Sequence, residues 1–175
     1  PYPRVKPMLS PFPLLSALML SLATATGTAQ AIRLASDVGL TMDGGLLTVL
    51  YGQGCGAFTC TPFQAGNVGA GQQRIVAIYG APLQPYALAI DLAPGTCVTF
   101  PGFYNQLQLS QPITLAVGMI GPGSVTGVCP QGRAGYGLLF PPGTPGGYDF
   151  LLQGIAISHG LREPAFTVAI AARTF

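Results

Sequence analysis

The chain is poor in charge. Lysine, arginine, aspartate and glutamate together make up 7% of its 175 residues, and tryptophan is absent. Beyond residue 31 there is no lysine, and Arg33, Arg74, Arg133, Arg162 and Arg173 balance Asp37, Asp43, Asp91, Asp149 and Glu163. The formal net charge of +2 therefore comes from Arg4 and Lys6. Gripping nucleic acid takes a basic face that neutralises phosphates. Five scattered arginines do not make one, so no nucleic-acid partner is expected. No apolar run reaches the roughly 20 residues of a membrane helix, so no stable span is expected once an N-terminal leader is removed. Solubility rests on Gln, Thr, Ser and backbone, a surface that favours self-association or contact with cell-surface or matrix components.

Histidine is scarce as well. His159 stands alone, so a serine hydrolase would have to use it, with Ser158, Ser124 or Ser110 as nucleophile and Asp91 or Asp149 as orienter. No G-x-S-x-G elbow is present, and Ser158-His159-Gly160 reads as a hairpin turn with a solvated histidine. The few acids single out no paired-carboxylate site, and Asp37 and Asp43 lack a calcium-loop pattern. Gly52-Gln53-Gly54-Cys55-Gly56-Ala57 formally fits a dinucleotide-binding pattern. That site needs a helix to begin there, and the next residues are Phe-Thr-Cys-Thr-Pro-Phe instead. No catalytic residue, no cofactor and no metal site is expected.

What the chain does have begins with a leader. Residues 8–31 combine an apolar stretch at 14–22, small residues, and Ala29-Gln30-Ala31 as an A-x-A cleavage site. This reads as a helical secretory signal peptide over residues 1–31, with Met8 as an alternative start and residues 1–7 as an over-extension. Residues 32–175 are then one domain, secreted or displayed on the cell surface.

Four cysteines lie beyond the leader: Cys55, Cys60, Cys97 and Cys129. An even count in an exported chain reads as two disulfides, with three possible pairings. The spacing lacks the C-x2-C pairs of structural zinc sites.

The 25 glycines and 17 prolines punctuate an otherwise apolar sequence, as short strands and turns do. Strands are expected at residues 32–35, 38–42, 46–51, 73–79, 86–92, 97–100, 105–110, 113–120, 124–128, 137–140, 148–158 and 165–172. Several of these are short and weak. Residues 60–71 and 141–147 read as loops, and Gly154 as a bulge. No segment shows helical periodicity over 11 residues. The fold class expected is all-β, a single antiparallel β-sandwich of about 8–10 short strands.

Three segments carry a family resemblance: Tyr51-Gly52-Gln53-Gly54-Cys55, residues 89–97 (AIDLAPGTC), and Gln153-Gly154-Ile155-Ala156-Ile157 with the apolar strand at 166–172. The chain resembles a group of secreted β-domains that recur in planctomycetes and other environmental bacteria, with a YGxGC strand end, an LDLxPxG…C segment and a closing Q-(G/A)-(L/I)-(A/V) strand. It departs from them in carrying Cys60 and Cys129 and in lacking the usual Pro after Cys55. The resemblance implies no activity. It implies a Cys55–Cys97 disulfide, which leaves Cys60–Cys129.

For ligand binding, the tyrosines offer an apolar face with a polar tip, and the best exposed loop is Phe103-Tyr104-Asn105. The expected function is that of a secreted, non-enzymatic module with a structural, adhesive or cell-surface-associated role. The alternative is an extracellular glycan- or peptide-binding module, and the third reading is a secreted hydrolase.

Overall fold

The computed structural model describes residues 33–43, 50–92, 94–123 and 132–175. The signal peptide expected at residues 1–31, with its expected over-extension at 1–7, and Ser124, Cys129 and the strand expected at 124–128 lie outside the described residues. The chain divides into two units, Pro1–Gln30 and Ala31–Phe175, and every described residue belongs to the second.

The described residues form strands and no helix, twelve strands where about 8–10 were expected. The first sheet contains β1 (Gly39–Asp43), β2 (Leu50–Gln53), β4 (Gln73–Gly80) and β9 (Gly132–Leu139), in the order β2-β1-β4-β9. The second contains β3 (Phe63–Val68), β5 (Pro85–Asp91), β8 (Ile113–Met119), β10 (Asp149–Ile157) and β12 (Ile170–Thr174), in the order β3-β12-β10-β5-β8, with β11 (Pro164–Phe166) added beside β10. A small third sheet pairs β6 (Pro94–Val98) with β7 (Leu107–Leu109).

The two large sheets bury one face each, because alternate side chains of a strand point the same way. Leu40, Met42, Val76, Ile78 and Leu138 of the first sheet meet Leu88, Phe150, Leu152, Ala156 and Ile170 of the second in one apolar cluster. The Phe150 ring lies 5.4 Å from Phe140 in a tilted pair. Leu40, Met42, Leu152 and Ile170 are wholly buried, and each contributes about 1.5–3 kcal/mol of burial.

The second sheet is apolar on its outer face too. There Leu151, Ala169, Ala89 and Ala171 are met by Leu107 and Leu109, so the β6–β7 hairpin forms a third layer. Gln153 ties that layer down. It is buried; its Oε1 accepts from Gln108 N at 2.8 Å, and its Nε2 donates to Gln106 O at 2.9 Å and Thr167 O at 2.8 Å. At the far end of β5, the buried Asp91 carboxylate accepts from Ser110 N, Ser110 Oγ and Gln111 N, all through Oδ2.

Four expectations need correction. The sandwich is not wholly antiparallel, since β3 pairs parallel with β12. β3 lies inside residues 60–71, read as loop; Gly66, at φ 68°, sits where the β3–β12 register slips and gives the strand an irregular, polar pattern. The last strand is split in two, β11 and β12. Thr167 lies between them, accepting from Gly154 N at 3.0 Å and donating to Val168 O. The irregularity opposite Gly154 is therefore on the partner strand, and β10 keeps an unbroken register with β5. Residues 32–35 are not a strand where described; residues 33–38 form a non-strand strap held by Asn105 and by the turn at Ser158 and Gly160.

The disulfide pairing implied by the resemblance is also overturned. Cys60 bonds Cys97, which excludes both Cys55–Cys97 and Cys60–Cys129. Cys55 is disulfide-bonded too, and no described cysteine is free. The reason lies in the third layer: β6 carries Cys97 onto the outer face of the second sheet, beside the segment that leads from Cys60 into β3.

Candidate functional site

The loop at Phe103, Tyr104 and Asn105 is where the strap, β11 and the 158–164 turn converge, and its three residues have different fates. Asn105 is buried and sits in the left-handed region at φ 60°. Its Oδ1 accepts from Ala35 N at 2.8 Å, and its Nδ2 donates to Ala35 O at 3.0 Å and Phe166 O at 2.6 Å. Its backbone N–H donates to Arg33 O at 2.6 Å. Every side-chain group that could meet a ligand is spent on tying the strap to β11, so Asn105 is withdrawn from the ligand-binding set. Asparagine tolerates this backbone conformation better than most residues, which is why an Asn can turn the loop and clamp the strap together.

Tyr104 and Phe103 remain at the surface, half-buried. The Arg33 guanidinium lies 4.1 Å from the centroid of the Tyr104 ring and donates to Tyr104 Oη at 2.6 Å. It also pairs with Glu163 at 3.1 Å. The bond to Tyr104 and the neighbouring Glu163 charge hold the Arg33 pKa above its ordinary value. Phe103 stacks on Phe166 of β11 with centroids 5.3 Å apart and an angle of 23°, and Phe100 tilts against the same ring at 6.1 Å.

Phe166 opens onto a larger surface. Across the second sheet, Phe166 pairs with Ile155, Ile155 with Ala87, and Ala87 with Val117. The neighbouring row runs from Pro164 to Ile157 and, beside it, from Pro85 to Met119. Directly opposed residues share a face, and the intervening Ala165, Ala156, Leu88 and Tyr86 belong to the core cluster. Both rows therefore lie on the outer face, beyond the reach of the β6–β7 layer. Val117 is 69% exposed and Met119 59%. The result is an uncharged apolar face, half-buried at Phe166, Ile155, Ala87, Pro164 and Ile157 and exposed at Pro85, Val117 and Met119, that runs from three phenylalanines at one end to the edge strand β8 at the other, rimmed by Arg33, Tyr104 and Glu163.

The sequence singled out one part of this surface and missed the rest. The available signal was the lack of alternation: residues 150–157 and 113–119 carry apolar side chains on both parities, which marks strands with two apolar faces.

The described candidate hydrolase residues are not brought together. Ser158 is buried, donates to Asp37 Oδ1 at 2.7 Å and accepts from Leu161 N at 3.0 Å. Asp37 Oδ2 accepts from Gly160 N at 2.7 Å. These bonds fix a tight turn on which His159 is exposed, and His159 shares no hydrogen bond with Ser158 or Asp37. Ser110 is held by Asp91, and Asp149 lies 3.6 Å from Arg173. A shallow depression of about 300 Å³ lies beside the turn, lined by Leu34, Asp37, Ser158 and Leu161 among others; its carboxylate is already engaged. Among the described residues no group of three or more His, Cys, Asp or Glu side chains is placed to hold a metal ion. No helix among them is long and apolar enough to cross a membrane. From the end of β2 the Gly52–Ala57 segment bends, with Gly52 at φ 90° and Gly56 at φ 137°, and leads into no helix.

No protein-family model and no curated protein matches the sequence. Among solved structures, the chain is similar to a chitin binding domain from Burkholderia pseudomallei, at 16% identity and a TM-score of 0.35, over 63% of this chain and 56% of that one. The chain thus spans little more than half of that neighbour's length. A likeness of this size says nothing of what the present protein binds.

Proposed function

We propose that the protein is a secreted, non-catalytic β-sandwich module with an adhesive or cell-surface-associated role, and that the outer face of the six-stranded sheet is its contact surface. One observation carries this: two adjacent rows of that face, Phe166 to Val117 and Pro164 to Met119, contain no polar or charged residue. A contiguous apolar face that keeps exposed residues, as this one does at Pro85, Val117 and Met119, marks a contact surface. Export is supported by the signal-like pattern of residues 8–31 and by the Cys60–Cys97 disulfide, which persists in an oxidising compartment. The resemblance to secreted β-domains of planctomycetes supports the same setting.

The test is co-sedimentation of the exported, oxidised protein with bacterial cell-envelope fragments. Wild type goes to the pellet, and Phe103→Ser combined with Ile155→Lys weakens that binding at least tenfold while the fold is kept. Wild type in the supernatant, or a variant that pellets equally, overturns the reading.

A second reading has its own observation. Phe103 presents a half-exposed ring beside Arg33, Tyr104 and Glu163, and an apolar ring face next to hydrogen-bonding groups suits a sugar. On this reading the protein binds an insoluble neutral polysaccharide, and Phe103→Ala with Tyr104→Ala abolishes that binding. Equal retention of wild type and variant would refute it.

A further inference from the structure

The depression beside the 158–163 turn is separate from the outer sheet face and has its own chemistry. It encloses about 300 Å³ between Leu34, Ala35, Ser36 and Asp37 of the strap and Ser158, Gly160 and Leu161 of the turn. Both lips are held in place. Asn105 bonds the N–H and the carbonyl of Ala35. The turn is closed by Ser158 N to Glu163 O at 2.9 Å, Arg162 N to Ser158 O at 3.0 Å and Leu161 N to Ser158 Oγ at 3.0 Å. Leu34 is nonetheless 57% exposed and Leu161 42%, so two leucines on fixed backbone border the same hollow with much of their surface in water. A preformed hollow with apolar walls and few polar groups has the make-up of a small-ligand site.

The charged group in the hollow is Asp37. Its Oδ1 accepts from Ser158 Oγ and its Oδ2 from Gly160 N, each at 2.7 Å. Both donors are neutral. They orient the carboxylate and leave its charge uncompensated, and each oxygen keeps a second acceptor site. Glu163 pairs with Arg33 at 3.1 Å and Asp149 with Arg173 at 3.6 Å, whereas Asp37 pairs with no cation among the described residues. Arg33 and Arg162 are neighbours in sequence of the two lips, yet Arg33 is bonded to Tyr104 and Glu163, and neither arginine reaches Asp37.

We infer that this depression binds a primary ammonium group carried on an aliphatic stem, the chemistry of a lysine side chain. An ammonium is a compact charge with three donors. Asp37 and the exposed Ser36 hydroxyl receive them, and the stem lies against Leu34 and Leu161. A metal ion needs several ligating groups, and no cluster of three or more His, Cys, Asp or Glu is placed here among the described residues. A guanidinium favours two parallel bonds to one carboxylate, and Asp37 already has one donor on each oxygen. The lysine is not that of a second copy of this domain, because beyond residue 31 the chain has none. It belongs to another molecule. One ion pair at a half-buried carboxylate and a short stem of methylene groups give a dissociation constant on the order of 1 mM.

The experiment is a titration of the oxidised, exported protein with n-butylammonium chloride, read by backbone amide NMR shifts, with n-butanol and sodium chloride as controls. The expected result is saturable shifts centred on residues 34–37 and 158–161 at a dissociation constant on the order of 1 mM, with butanol at least tenfold weaker. Asp37→Asn keeps the size of the side chain, removes its charge and weakens amine binding at least tenfold. Where that variant loses the fold, Gly160→Ala gives the same answer: its Cβ lies 3.5 Å from Asp37 Oδ2, in ordinary contact, so the turn is kept, the carboxylate is partly covered, and binding falls at least threefold. No saturation below about 100 mM overturns the inference. So does an equal response to butanol or sodium chloride, so do shifts centred elsewhere, and so does a folded Asp37→Asn that binds as wild type does. Nα-acetyl-lysine methylamide separates the sources. Binding equal to butylammonium supports a lysine of a protein or peptide partner; binding of butylammonium alone supports a free alkylamine. Amine binding by a wild type that ignores cell-envelope fragments supports this inference and overturns the envelope reading alone.

Discussion

Replacing Asn105 by alanine removes three side-chain hydrogen bonds, to Ala35 N, Ala35 O and Phe166 O. It also leaves a residue with an ordinary Cβ at φ 60°. A hydrogen bond contributes about 1 kcal/mol net, and an orphaned buried partner costs more. Three of them set a loss of at least about 3 kcal/mol. The left-handed conformation adds about 1–2 kcal/mol for alanine, giving a total of about 4–5 kcal/mol for Asn105→Ala. Asn105→Gly loses the same bonds without the conformational strain. Part of that relief is cancelled by the greater freedom of glycine in the unfolded chain, so the glycine variant is about 1 kcal/mol more stable than the alanine variant. The assay is urea unfolding of the oxidised protein with unchanged slope. A loss below about 1 kcal/mol for Asn105→Ala would show that Asn105 does not clamp the strap. A glycine variant less stable than the alanine variant would show that the conformational argument is wrong.

Three further outcomes are expected. Non-reducing peptide mapping yields a Cys60–Cys97 peptide and no Cys55–Cys97 peptide; removing the bridge by Cys60→Ala with Cys97→Ala costs about 4 kcal/mol for a sequence separation of 37, and an unchanged unfolding midpoint would refute that. Gln153→Glu turns a carboxylate oxygen towards Gln106 O and Thr167 O, so burial and these acceptors raise the folded-state pKa of the new carboxyl. The unfolded chain then ionises more readily than the folded one, and the stability of this variant falls as pH rises from about 4 to 7; stability relative to wild type that is flat over that range would count against the buried clamp. Phe150→Ala, at 2% exposure in the centre of the sandwich, costs about 3–5 kcal/mol, and a thermal melt within a few degrees of wild type would contradict its placement.

The strands that were legible in the sequence carry dense apolar residues and end in Gly or Pro: β4, β5, β8 and β10 lie where residues 73–79, 86–92, 113–120 and 148–158 placed them. β3 was not legible, because its polar residues and central Gly66 leave no periodicity, and what makes it a strand is a parallel partner about a hundred residues away. The disulfide pairing failed for a related reason. Spacing records how far apart cysteines are along the chain, whereas Cys60 and Cys97 are brought together by a third layer that only the packing reveals. At the loop, residue type suggested a surface for Phe103, Tyr104 and Asn105 alike. The structure spends Asn105 on backbone groups of Ala35 and Phe166, and no local pattern announces those distant partners.

β12 sits in the interior of its sheet, with β3 on one side and β10 on the other, yet it comes last in chain order among the described strands. Without it, β3 has no neighbour in that sheet and the Ile170 and Ala172 positions of the core are vacant. β3 is joined to the rest of its sheet only through β12, so whatever displaces Ile170–Thr174 detaches β3 as well and opens the core from that side.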